Sequence, residues 1–172
     1  LARISGRTDI IIGSTVAGRN HAEMELVFGF FINALPLRIE LGDNPSVGGL
    51  LHRVREVCLN AYSNQDLPFE KLVEEVNPTR DSSRNPLFDI LFNVSDMAER
   101  RFSLPGCNID KIMESAPGAK FDLVFSAPKI AGSDELTVVY NADLYRPERI
   151  TLLLEQLEVI LAQALRCPEL AI

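Results

Sequence analysis

NQDLPFEKLVEEVNPTRDSSRNPLFD runs from Asn64 to Asp89 and holds the punctuation that decides how the rest is read. It opens as a helix start, with Asp66 as the expected cap and Pro68 in the first turn, where a missing N–H costs nothing. Phe69, Leu72, Val73 and Val76 then recur at helical spacing and give a short helix one apolar face. Asn77-Pro78 stops it, because the residue before proline is pushed out of the helical region. A polar loop from Thr79 to Asn85 carries Arg80, Asp81 and Arg84; Pro86 closes it, and an apolar run from Leu87 to Val94 follows. A surface helix thus hands over to a strand through a loop of Arg and Asp.

Upstream, DIIIGSTV (Asp9 to Val16) begins as the continuous apolar run of a strand covered on both faces. Gly13 lets something approach the backbone closely, and Ser14 and Thr15 put hydroxyls at the strand's end. Ala17 to Asn20 is a turn, and His21 to Phe28 a connector with a short helical turn. Phe30 to Leu41 reads as the next strand, with Asn33 its only amide and Pro36 the mark of a sheet edge or bulge. Asn44 is the expected cap of a long helix whose stripe is Val47, Leu50, Leu51, Val54, Val57, Cys58 and Ala61. Gly48 and Gly49 weaken its first turn by about 1 kcal/mol each relative to Ala.

Downstream, 96–101 is charged, 103–106 a turn, 107–114 a short strand and 116–118 a loop. Phe121 to Ala127 is a strand, and Gly132 to Glu135 a hairpin-like connection into the strand Leu136 to Asn141. Pro147 and Glu148 open a last helix with a stripe of Ile150, Leu153, Leu154, Leu157, Ile160, Leu161 and Ala164, ended by Pro168. Strands and long helices alternate irregularly, so the expected class is an α/β (α+β sandwich) fold, a mixed sheet covered by helices.

The 172 residues, 47% apolar and 24% charged, suit one domain that buries roughly 70% of its unfolded surface. A net charge of −7 argues against nucleic acid or an anionic membrane as partner, and no apolar run is long enough to span a bilayer. The chain starts Leu-Ala-Arg with no secretory pattern, and reads as a piece of a longer protein. Cys58, Cys107 and Cys167 have no metal-binding or redox spacing and are expected to be structural thiols in a reducing cytoplasm. No Ser-His-Asp set, GxSxG elbow or phosphate loop is present.

Three phrases then fall in order: GFFINALPLR (Gly29 to Arg38), NQDLPFE (Asn64 to Glu70) and RDSSRNPLFD (Arg80 to Asp89). They resemble core motifs of the condensation domains of nonribosomal peptide synthetases, and AKFDL (Ala119 to Leu123) resembles a further phrase of that family. The resemblance covers nearly the whole chain and matches the C-terminal half of the family. It implies the second of two lobes, each similar to chloramphenicol acetyltransferase. It also implies condensation rather than epimerisation: the amine of an acceptor aminoacyl thioester attacks a donor thioester in a tunnel between the lobes. The implied partners are the N-terminal lobe, carrier proteins that bring 4'-phosphopantetheine, and an adjacent adenylation domain. The lobe itself would bind no cofactor, and alone it would self-associate through an apolar patch. The family's HHxxxD motif belongs to the first lobe; His21 and His52 are widely separated and stand outside any such motif. Other readings are a non-catalytic lobe that docks carrier proteins and a CoA-dependent acyltransferase.

Asn33 is the candidate catalytic residue, matching an active-site-facing Asn of the family's motif. Its amide would stabilise the charge that develops on the thioester oxygen; the other reading is an amide that ties down an irregular strand near Pro36. Ser14 and Thr15 are candidates for the substrate-channel wall, against hydroxyls that merely bond backbone. Arg80, Asp81, Arg84 and Asp89 read as charges that hold a loop, with carrier contact as the alternative. Arg19 and Arg38 would either guide a phosphopantetheine phosphate or anchor loops.

Overall fold

The computed structural model describes residues 1–79, 81, 83–95, 106–107, 118–128 and 135–172. Among these, five strands form one mixed sheet, β1 (Asp9–Val16), β2 (Asn33–Glu40), β3 (Ile90–Ser95), β4 (Leu123–Pro128) and β5 (Thr137–Tyr140), in the order β2-β1-β3-β4-β5. The outer pairs β1–β2 and β4–β5 are antiparallel, and β3 runs parallel to both β1 and β4. Four α-helices accompany them, the single turn α1 (Ala2–Ser5), α2 (Val47–Ser63), α3 (Phe69–Val76) and α4 (Pro147–Arg166), with a short 3-10 helix at Ala22–Leu26. The expected fold class holds. The reading at 96–101, and nearly all of those at 103–106, 107–114, 116–118 and 132–135, lie outside the described residues.

Register explains the core. Ile90 pairs with Leu123, and Leu123 and Phe125 pair with Tyr140 and Val138, so these side chains share one face. Buried Ile150 of α4 packs there with Leu123 and Phe125, flanked by Leu153 and Leu154. The second half of the expected stripe follows only in part: Leu157 and Ala164 are half-buried, whereas Ile160 and Leu161 are exposed. Pro36 lies on β2, an edge strand, as its missing donor requires. Phe30 to Ile32, expected as strand, precede β2.

Two caps differ from expectation. Asn44 adopts a left-handed backbone (φ 47°), and Ser46 caps α2 by accepting the Gly49 N–H at 3.2 Å. Two further N–H groups of α2 are taken by the chain's last residues: Val47 donates to Leu170 O at 3.1 Å and Gly48 to Pro168 O at 3.0 Å. Ile172 donates back to Pro45 O at 3.2 Å. At α3, Pro68 occupies the cap position with no side-chain bond of its own, and Asp66 does not cap it. The first-turn N–H of Phe69 is met instead from another strand, by Asn33 Oδ1 at 3.0 Å.

Gly13 is where the quoted motifs meet. A Cβ there would lie 2.0 Å from Cε2 of Phe88, so only glycine admits that ring. Phe88 is buried and sits between Phe69 and Phe121, with centroids 5.5 and 5.4 Å away. One ring thus joins β1, the start of α3, and the entries to β3 and β4.

Candidate functional site

Asn33 spends its whole amide on the fold. Nδ2 donates to Gln65 O at 2.9 Å and Leu67 O at 2.8 Å, while Oδ1 accepts from Ala34 N at 3.0 Å and Phe69 N at 3.0 Å. Both donor hydrogens are used, so in this geometry none is left for an oxyanion, and the tying role is the one supported. Asp66, displaced from capping, accepts from Asn20 Nδ2 at 2.6 Å and draws the same loop toward the end of β1.

Arg19 anchors a loop. Its guanidinium donates to the carbonyls of Met24, Val27 (2.9 Å) and Gly29 (3.3 Å) and lies 4.5 Å from the Phe31 ring centroid. Gly18, at φ 64°, is pressed against Phe31 O, where a Cβ would come within 1.9 Å. The loop held this way turns its apolar side chains outward: Leu26 is 93% exposed, Phe30 87%, and Phe28 wholly so. Val27 and Ile32 are also exposed.

The two strand-end hydroxyls are separated by the pleat. Ser14 and Thr15 point to opposite faces. The Thr15 hydroxyl and backbone N–H both donate to Asn93 Oδ1 at 3.0 Å. Asn93, on β3, falls in a stretch that reads as an apolar run; the signal it offers is the same as for Asn33, a lone amide among strand formers. His21 and His52 are exposed and belong to no described cleft.

The charged groups hold one another. Arg38 makes a two-pronged pair with Asp9 (3.0 and 2.9 Å), and Arg53 with Asp43 (2.9 and 2.7 Å). The open cleft of about 510 Å³ beside them offers no unclaimed guanidinium among its lining residues. The Arg38 and Arg53 guanidiniums lower the carboxyl pKa values of Asp9 and Asp43. Asp81 accepts from Ser83 N (2.9 Å) and Ser83 Oγ (2.6 Å), which lowers its own pKa and makes it a turn residue. Arg84 pairs with Asp89, whose Oδ1 is buried with no partner among the described residues. Arg80 lies outside the described residues. The thiols of Cys58, Cys107 and Cys167 are free; only Cys58 is half-buried, and burial pushes its pKa up.

Asp122, at the foot of β4, has its pKa raised, first by burial and then by the Asp89 charge, with Arg84 opposing. The folded state therefore binds the Asp122 proton more tightly than the unfolded chain does. Stability is lost as pH rises from the unfolded value through the folded one. Asp122→Asn is expected to be more stable than the parent at neutral pH. Urea midpoints measured from about pH 3.5 to about pH 7 should show the advantage growing with pH; an equal advantage at every pH would assign it to packing instead.

The mixed five-stranded sheet with its accompanying helices is an acetyltransferase-like α/β architecture. The family model for the condensation domain matches residues 1–172, so the chain belongs to the condensation-domain family. It is 38% identical over 150 residues to tyrocidine synthase 3 of Brevibacillus parabrevis, covering 87% of this chain and 2% of that one. It is 38% identical over 173 residues to bacitracin synthase 1 of Bacillus licheniformis, covering 100% of this chain and 3% of that one. Among solved structures, the X-domain from teicoplanin biosynthesis matches with a TM-score of 0.89 at 25% identity, over 99% of this chain and 40% of that one. The condensation domain of the monacolin K polyketide synthase MokA matches in fold, with a TM-score of 0.82 at 22% identity over 99% and 40%. The chain spans only a few per cent of these curated relatives. Among the described residues no helix is long and apolar enough to cross a membrane.

Proposed function

We propose that this chain is the second lobe of a nonribosomal peptide synthetase condensation domain. It forms one wall of the tunnel in which an acceptor amine attacks a donor thioester, each substrate carried on a phosphopantetheine arm of a carrier protein. The observation that carries this reading is the loop from Leu26 to Ile32. The large side chains of Leu26, Phe28 and Phe30 are turned to water, yet the backbone that carries them is fastened by Arg19 and by the close contact of Gly18 with Phe31 O. Exposed apolar surface of this kind marks an interaction site, and a fastened loop meets its partner without an ordering cost. Its partner is the first lobe, which brings the imidazole that this chain's two surface histidines do not supply. The setting is a cytoplasmic multidomain synthetase with an adenylation domain alongside.

Supplying a first lobe that carries HHxxxD should restore peptide-bond formation with loaded carriers and abolish self-association of the isolated chain in light scattering. Turnover by the isolated chain would overturn the division of labour. A second reading is a docking lobe without catalysis. It has support from a structural neighbour described as a complex of the X-domain and OxyB from teicoplanin biosynthesis. An upstream lobe lacking HHxxxD would favour it.

A further inference from the structure

β1 and β3 lie side by side and parallel, but the chain leaves β1 toward β2 on one side and leaves β3 toward β4 on the other. Their carboxyl ends therefore flank a topological switch point, where open α/β sheets place ligand crevices. The seam between the two strands has a single register pair, Gly13 with Leu91. Two residues further on, the Thr15 N–H is met by the Asn93 side chain at 3.0 Å and not by β3 backbone, so the ladder gives way to a side-chain link at this point.

Register extends that point across the sheet. Asn93 pairs with Ser126, and Ser126 with Thr137. Thr15, Asn93, Ser126 and Thr137 form one transverse row on the face opposite Leu123 and Phe125, away from α4. All four are exposed or half-exposed. The row carries hydroxyls and an amide and no charge, a lining for a neutral ligand rich in carbonyl and amide groups rather than for a phosphate.

Within the row Asn93 is oriented. Because Thr15 donates twice, its acceptor must be Oδ1, which turns Nδ2 the other way. Among the described residues nothing accepts from Nδ2. We propose that Asn93, rather than Asn33, is the amide of this lobe that meets the substrate, with Nδ2 donating to the carbonyl oxygen of the donor thioester. This rests on the condensation reading and names a residue for it. As the amine nitrogen forms the new C–N bond, negative charge grows on that oxygen and Nδ2–H stabilises it. The C–S bond then breaks, and sulfur leaves as the carrier thiol with the proton shed by the amine.

The test uses the complete two-lobed domain with donor and acceptor aminoacyl thioesters on their carrier proteins. Asn93→Asp keeps the oxygen that Thr15 needs and removes the donor. It is expected to lower kcat about 10²-fold with KM within about threefold and the thermal midpoint unchanged. Thr15→Val weakens the link but leaves the donor, and should cost less than Asn93→Asp. Wild-type kcat in Asn93→Asp, or an equal loss in Thr15→Val, overturns the assignment and leaves the condensation reading standing. A wild-type domain without turnover overturns both.

Discussion

Gly13→Ala should lower the stability of the folded chain by about 3 kcal/mol, at the upper end of what overpacking a core costs. The new methyl would stand 2.0 Å from Phe88 Cε2 and 2.4 Å from its Cδ2 and Cζ. A flexible side chain would swing aside. Phe88 is held between the Phe69 and Phe121 rings, and moving it disturbs α3 and β4 together. Relief must come from making the ring smaller. Phe88→Leu alone leaves a cavity and costs stability; combined with Gly13→Ala, the pair should lose clearly less than the sum of the single changes. Urea unfolding of all four proteins measures the coupling. Additive losses would mean that the strand shifts to accept the methyl and that Phe88 is not the obstacle.

Asn33→Ala should cost about 2–3 kcal/mol of stability. It removes four hydrogen bonds at once and leaves the carbonyls of Gln65 and Leu67 and the N–H of Phe69 without their partner. Asn33→Asp should do no better, since its second oxygen would face two carbonyls that need donors. In the complete domain the Asn33→Ala protein should recover near-normal turnover per folded molecule at low temperature, because both amide hydrogens are already spent on the loop. A protein of unchanged midpoint but much lower kcat would return Asn33 to the chemistry.

Periodicity makes the framework readable. β1 coincides with the run from Asp9 to Val16, and α2, α3 and α4 fall where the three- and four-residue stripes place them, because local sequence encodes which face is apolar; Leu51, Val76, Ile160 and Leu161 of those stripes nevertheless stay exposed. Caps are less legible. Asn44 and Asp66 are good capping residues by type, but Ser46 lies one position before α2, and α3 takes its cap from a residue 36 positions away. No local rule contains such a partner. Three phrases separated in sequence point correctly to one constellation, yet the roles inside it depend on which hydrogen each amide has already spent. Asn33 and Asn93 look alike as lone amides in strands; only the bonds to Gln65, Leu67 and Thr15 tell them apart. Phe30 and Ile32 read as part of a strand, yet they precede β2 and, with Phe28, lie open to water in the fold. Composition records that an apolar side chain is to be covered, without saying that the cover is part of the same stretch of chain.

The backbone bonds from Val47 and Gly48 to Leu170 and Pro168 make the closing six residues a lid on the amino end of α2. Anyone choosing a boundary for expression at the end of α4 would strip amides from a helix more than a hundred positions earlier. For the same reason, tension applied through Ile172 is passed to the start of α2 as well as to the end of α4.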